Sequence, residues 1–110
     1  KMTLTSEDWD PLMEALEEEE CLLADGFDLA LIGITCSPHH GDPVAVYDKN
    51  KMVSVLVNRD GMTDIEALEY LDFNVFGAYV GEKTPLFIDM DFMRACALMQ
   101  DPRTHAPNAL

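Results

Sequence analysis

The chain has 110 residues, 48% of them hydrophobic, and carries 21 acids against 7 lysines and arginines, for a net charge of −14. That length and apolar content fit one domain with its own core and exclude a wholly disordered chain. No apolar run reaches the roughly 18 residues needed to span a bilayer, and the start lacks a signal-peptide pattern. The charge argues against nucleic-acid and anionic-lipid partners, because it would add negative charge to a negative surface. It favours a partner with a basic surface, or serves solubility alone.

Residues 1–110 are expected to form a single α+β domain, with 1–5 and 102–110 as loose termini. Lys1 before Met2 reads as an added residue. The three cysteines, Cys21, Cys36 and Cys96, have no paired spacing. They read as reduced thiols of a cytoplasmic protein, with Cys21 and Cys96 as small apolar core residues.

Residues 6 to 24 are predicted as a first helix, with Trp9, Leu12, Met13, Leu16 and Cys21 near the helical period. Thr5 or Ser6 could cap it, or Asp10 with Pro11 in the first turn. Gly26 is the expected stop. The first fifty residues hold twelve of the acids and only Lys1 and Lys49 as bases. Glu14 and the run Glu17, Glu18, Glu19 and Glu20 make the far end of this helix the main acidic face.

Leu29 to Ile34 is too short for a helix and reads as a strand buried on both faces or nearly so. Cys36 to Pro43 is loop chemistry, and Val44 to Tyr47 a second strand, together a hairpin with a longer loop than the commonest turns. Residues 49 to 58 fit two patterns. Val53, Val55 and Val57 alternate as in a strand, whereas Met52, Val53, Leu56 and Val57 share a helical face with Asp48 at the N-cap position.

Thr63 and Glu66 form a capping box, and Gly77 is the expected terminator of a helix over 64 to 76. Ile65, Leu68, Tyr70, Leu71 and Val75 are its apolar stripe. Ala78 to Val80 reads as a brief extended piece, 81 to 85 as a turn and Leu86 to Ile88 as a strand. Asp91 can cap a last helix carrying Phe92, Met93, Cys96 and Met99, with Pro102 after its end. The sum is a sheet of three to four strands packed by about three to four helices.

From Ala45 onward the chain resembles a family of small uncharacterised proteins encoded by phages and prophages. The resemblance is carried by Val46-Tyr47-Asp48, Arg59-Asp60-Gly61-Met62-Thr63, Glu66-Ala67 and Glu69-Tyr70. It continues through Phe73-Asn74-Val75, Gly77-Ala78-Tyr79-Val80-Gly81-Glu82 and Thr84-Pro85. Asp25-Gly26-Phe27 and Ala30-Leu31-Ile32-Gly33 are similar to the family's upstream segment. The resemblance implies a mobile-element origin, an accessory role in the host cytoplasm and a helix over residues 49 to 58. It implies no reaction.

Two candidate surfaces follow. The first is the acidic face of Glu14 and Glu17 to Glu20, which could bind and inhibit a host nucleic-acid-handling or defence protein by presenting carboxylates to its basic groove. The second is a polar cluster of Asn74, Tyr79, Glu82 and Thr84 at a helix end, the centre of a small ligand-binding or enzymatic domain. For Asn74 the plainer reading is a structural tie between the helix end and the next turn. A concave pocket beside Asn74 and Tyr79 would favour the second surface, and a flat acidic stripe the first.

No catalytic, metal or cofactor assignment is made. Cys36, His39 and His40 supply only half of a zinc spacing, and a nucleophile and base in one loop lack preorganised geometry. Carboxylates are too abundant for any pair to carry weight, and Gly61, Gly77 and Gly81 are spaced as separate chain stops.

Overall fold

A computed structural model describes residues 6–36, 39 and 41–90. The last helix expected after the Asp91 cap, with Cys96 in it, the remaining tail, residues 1–5 and His40 lie outside the described residues. The described residues form three α-helices and a three-stranded mixed sheet, an α+β architecture. The helices are α1 (Ser6–Glu18), α2 (Lys49–Asp60) and α3 (Asp64–Leu71), and the strands β1 (Leu31–Ile34), β2 (Ala45–Asp48) and β3 (Leu86–Ile88).

Helix α1 is shorter than its periodicity predicts. It already runs through Asp10, so Pro11 lies inside it and Asp10 is not its cap. It ends at Glu18 because Glu17 to Glu20 put negative charge at the negative end of the helix dipole, with no base in the last turn. The chain then closes in a Schellman arrangement. The Glu20 N–H donates to Glu17 O at 3.0 Å, and the Cys21 N–H donates to Leu16 O at 2.9 Å. Glu20 itself takes φ 55°, the left-handed region that glycine usually fills. Gly26 therefore does not stop this helix. At φ 86° it makes the turn before a short 3₁₀ segment, Asp28–Ala30.

That 3₁₀ turn takes up the first part of the predicted strand. Leu29 is 76% exposed, and β1 begins only at the buried Leu31. Strands β1 and β2 pair antiparallel through Leu31↔Tyr47, Gly33↔Val46 and Ile34↔Ala45, with a bulge between Leu31 and Gly33. Thr35 closes the hairpin: its N–H donates to Val44 O at 2.9 Å and its Oγ1 accepts from the Val44 N–H at 2.9 Å.

Asp48 ends β2 and caps α2, its Oδ1 accepting the Asn50 N–H at 3.0 Å. It is the buried charged residue of the described core, 5% exposed. Gly61 stops α2 at φ 71°. With a cap and a stop at helical spacing, and Met52 and Leu56 one turn apart facing the core, the ambiguity over residues 49 to 58 resolves to helix. The valines end up partly buried around that stripe.

The Thr63 and Glu66 capping box is formed on α3: Thr63 Oγ1 accepts the Glu66 N–H at 3.1 Å and Glu66 Oε1 accepts the Thr63 N–H at 2.9 Å. The buried face is not the full predicted stripe. Ala67 and Leu71 are buried and Val75 is partly so, but Ile65 is 72% exposed, and Leu68 and Tyr70 are also exposed. The helix widens into a π-turn over Asp72–Phe76 rather than continuing as α to 76. Gly77 follows it at φ −89°, so it ends the helix without needing the left-handed conformation. Ala78 to Val80 forms no strand.

Strand β3 pairs parallel with β2 through Val46↔Leu86, Tyr47↔Phe87 and Asp48↔Ile88. The parallel pairing follows from the α2–α3 crossover that joins the two strands. The sheet order is β1-β2-β3. Tyr47 and Leu31 from the sheet meet Leu16, Phe27, Ala30, Met52, Leu56, Ala67 and Leu71 in one core. Phe87 continues it, its ring 5.8 Å from Tyr47 and 5.2 Å from Phe76.

Candidate functional site

The acidic face sits where α1 ends. Glu14, Glu17, Glu18, Glu19 and Glu20 are all exposed. Arg59, a base that could have compensated nearby acids, is engaged elsewhere: Nε lies 3.1 Å from Asp60 Oδ1, and Nη1 donates to Gly26 O at 2.8 Å. Its guanidinium also stacks over Phe27, 5.6 Å from the ring centroid. Lys49 lies over the Phe76 ring at 4.9 Å. The carboxylates of the strip face water, and the segment that follows the capped turn is tied to the sheet by Tyr47, whose Oη accepts the Ala24 N–H at 2.8 Å.

The polar cluster comes together only in part. Asn74 is exposed and its Nδ2 donates to Tyr70 O at 3.0 Å, one turn back in its own helix. It therefore neither ties the helix to the next turn nor needs a partner because of burial. Thr84 is structural: Oγ1 accepts the Val80 N–H at 2.9 Å and donates to Gly81 O at 2.6 Å, holding the 80 to 84 turn closed. Tyr79 is 76% exposed, and Glu82 is also exposed.

Asn74 and Thr84 do share one wall, that of a groove of about 370 Å³ between the segment after α1 and the start of β3. Its lining is mostly apolar, with Leu22, Leu23, Phe27, Val80 and Phe87 among it, and it includes neither Tyr79 nor Glu82. On its other side Asn74 borders a second, wider groove of about 850 Å³ along α3. There Met62, Tyr70 and Phe73 alternate with Asp60, Glu66, Glu69 and Asp72. Concavity beside Asn74 thus exists, but Tyr79 is no part of it.

Sequence reasoning missed the second groove because it assigned Tyr70 to the buried stripe and gave Phe73 no role. The available signal was angular. Phe73 is two residues from Leu71, which on a helix places it near the opposite face. Among the described residues no group of three His, Cys, Asp or Glu side chains is placed to hold a metal ion.

Cys21 is partly buried, and its Sγ donates to Pro43 O at 3.3 Å. Burial pushes its thiol above the ordinary value, Lys83 opposes the shift and Glu19 adds to it. That environment disfavours the thiolate and suits a packing role. No helix among the described residues is long and apolar enough to cross a membrane. No protein-family model, curated protein or solved structure matches this chain.

Proposed function

We propose that the protein works by binding, capturing a partner with a basic surface through its acidic face at the end of α1. The observation that carries this reading is Glu20. A glutamate occupies a left-handed position, φ 55°, where glycine would be the more stable choice. It does so inside a run of exposed carboxylates whose mutual repulsion also costs stability. Keeping acids where the local fold disfavours them supports a use for the charge.

The resemblance to phage-encoded proteins makes a host nucleic-acid-handling or defence protein the natural partner. Inhibition would follow by occupying its basic groove, and direct binding to nucleic acid is not expected. The test replaces Glu17 to Glu20 together with Gln and measures association with a Lys- and Arg-rich peptide. The association rate should fall and lose part of its salt dependence, at equal or slightly higher melting temperature. An unchanged rate would make the acidic face a solubility device.

A second reading is favoured by one observation, that Asn74 and Thr84 line the same mostly apolar groove of about 370 Å³. Such a concavity with a few polar groups suits a small ligand. Loss of function in Asn74→Ala at unchanged melting temperature, with the Gln variant binding normally, would put this reading first.

A further inference from the structure

The α3 groove presents an apolar centre that the fold does not use. Of its lining, Phe73 is 89% exposed and Tyr70 44%, while Met62 is partly buried. A phenyl ring this exposed adds nothing to the core, and its place in the lining of a groove leaves it free to contact a partner. The π-turn at Asp72–Phe76 falls on the same stretch, and such one-turn insertions recur at functional positions.

The rim identifies the occupant. Glu66, Glu69 and Asp72 are exposed around Phe73, with Asp60 at the far end. Asp60 already pairs with Arg59, and Glu66 Oε1 is held by the Thr63 N–H. Among the described residues Glu69 and Asp72 make no side-chain contact with a base. Apolar floor and carboxylate rim together match a segment with apolar residues on one side and Lys or Arg on its flanks. A second copy of this chain would bring carboxylates against carboxylates.

We propose that the groove along α3 is a docking site for a basic amphipathic helix of a partner protein, with Phe73 and Tyr70 as the apolar anchor and Glu69 and Asp72 fixing its cationic edges. This rests on the binding reading above and adds where affinity, as distinct from attraction, is generated. Helix-in-groove recognition uses this combination of anchor and rim.

The experiment titrates the full chain into a fluorescently labelled amphipathic Lys-Leu helix and reads anisotropy, with an oligolysine of equal charge as control. The site predicts saturable binding of the amphipathic peptide and at least about tenfold weaker binding of oligolysine. Phe73→Ala should weaken the amphipathic peptide by at least about tenfold at unchanged melting temperature. Glu69→Gln combined with Asp72→Gln should reduce the salt dependence.

Equal binding of both peptides overturns the proposal, as does wild-type affinity in Phe73→Ala. If affinity is lost only in the Glu17 to Glu20 variant, the α3 site falls while the acidic-face reading stands. No binding to either peptide removes both. A dimer in sedimentation equilibrium that Phe73→Ala dissociates would assign the face to a second copy. Amide shifts in residues 91–110 on Phe73→Ala would assign it to the chain itself. Either result overturns the proposal.

Discussion

The end of α1 and the outer face of α3 carry similar charge and different chemistry. At α1 the carboxylates crowd one turn, with Glu20 in a disfavoured backbone conformation. At α3 the carboxylates are spaced around exposed rings and a concavity. Charge alone accelerates encounter and is screened by salt, whereas an apolar anchor that becomes desolvated slows dissociation. In the proposed function those two tasks fall to the two regions, and Asn74 lines both the α3 groove and the mostly apolar groove of about 370 Å³ beside the segment after α1.

The strongest way to break the comparison is through Tyr47, which holds the segment after α1 to the sheet and touches nothing on the outer face of α3. Tyr47→Phe removes the acceptor for the Ala24 N–H and should cost about 1 to 2 kcal/mol. Chemical denaturation should show that loss, while peptide affinity at the α3 groove stays unchanged. The same residue sets a pH limit.

Burial raises the Tyr47 phenol above its ordinary value, the Ala24 N–H opposes this and Asp28 adds to it. The folded state thus favours the protonated form. Its contribution is fully present below the unfolded value of about 10 and is lost as pH rises through the folded value. Denaturant midpoints measured from about pH 8 to pH 11 should fall at the alkaline end in the native chain and less in Tyr47→Phe.

A smaller effect is expected at the other region. Thr63→Ala breaks the capping box and should lower stability by about 1 kcal/mol. It loosens the base of the α3 groove and leaves the end of α1 intact, so association rates should hold while dissociation quickens. An unchanged denaturant midpoint would contradict the capping geometry.

The smallest effect has the opposite sign. Glu20→Gly should raise stability by up to about 1 kcal/mol, by relieving the left-handed glutamate and one like-charge neighbour. Association with a basic peptide should slow at the same time. A variant both more stable and equally fast would remove the observation on which the acidic-face reading rests.

What could be read from the sequence divides along the same physical line. Features set by a residue acting on its immediate neighbours were legible. The Thr63 and Glu66 box, the Asp48 cap, the Gly61 stop and the β1–β2 hairpin all formed as their local chemistry dictates. The sheet using residues 86 to 88 was also legible, because an apolar run bounded by turns has few alternatives.

What failed was set by competition. The end of α1 came early because dipole and like-charge terms outweighed a periodicity that continued to Cys21. The α3 stripe was overcounted because burial depends on which neighbours are present, and only Ala67 and Leu71 find them fully. The site suffered most. Of the polar cluster, Asn74 and Thr84 line one groove, whereas Tyr79 and Glu82 line neither groove beside Asn74. Phe73 carried no role in the sequence, because hydropathy alone cannot tell an exposed aromatic from a core side chain.

Binding of a basic partner, with attraction and anchoring in separate places, can be seen residue by residue through amide chemical-shift mapping of the full chain. The ligand is the amphipathic Lys-Leu helix, at low and at physiological salt. Saturating shifts are expected at Met62, Glu66, Glu69, Tyr70 and Phe73 that persist at physiological salt. Weaker shifts are expected at Glu17 to Glu20 that salt removes. Shifts confined to the groove between Leu22 and Phe87, or no shifts in either region, would contradict this division of tasks.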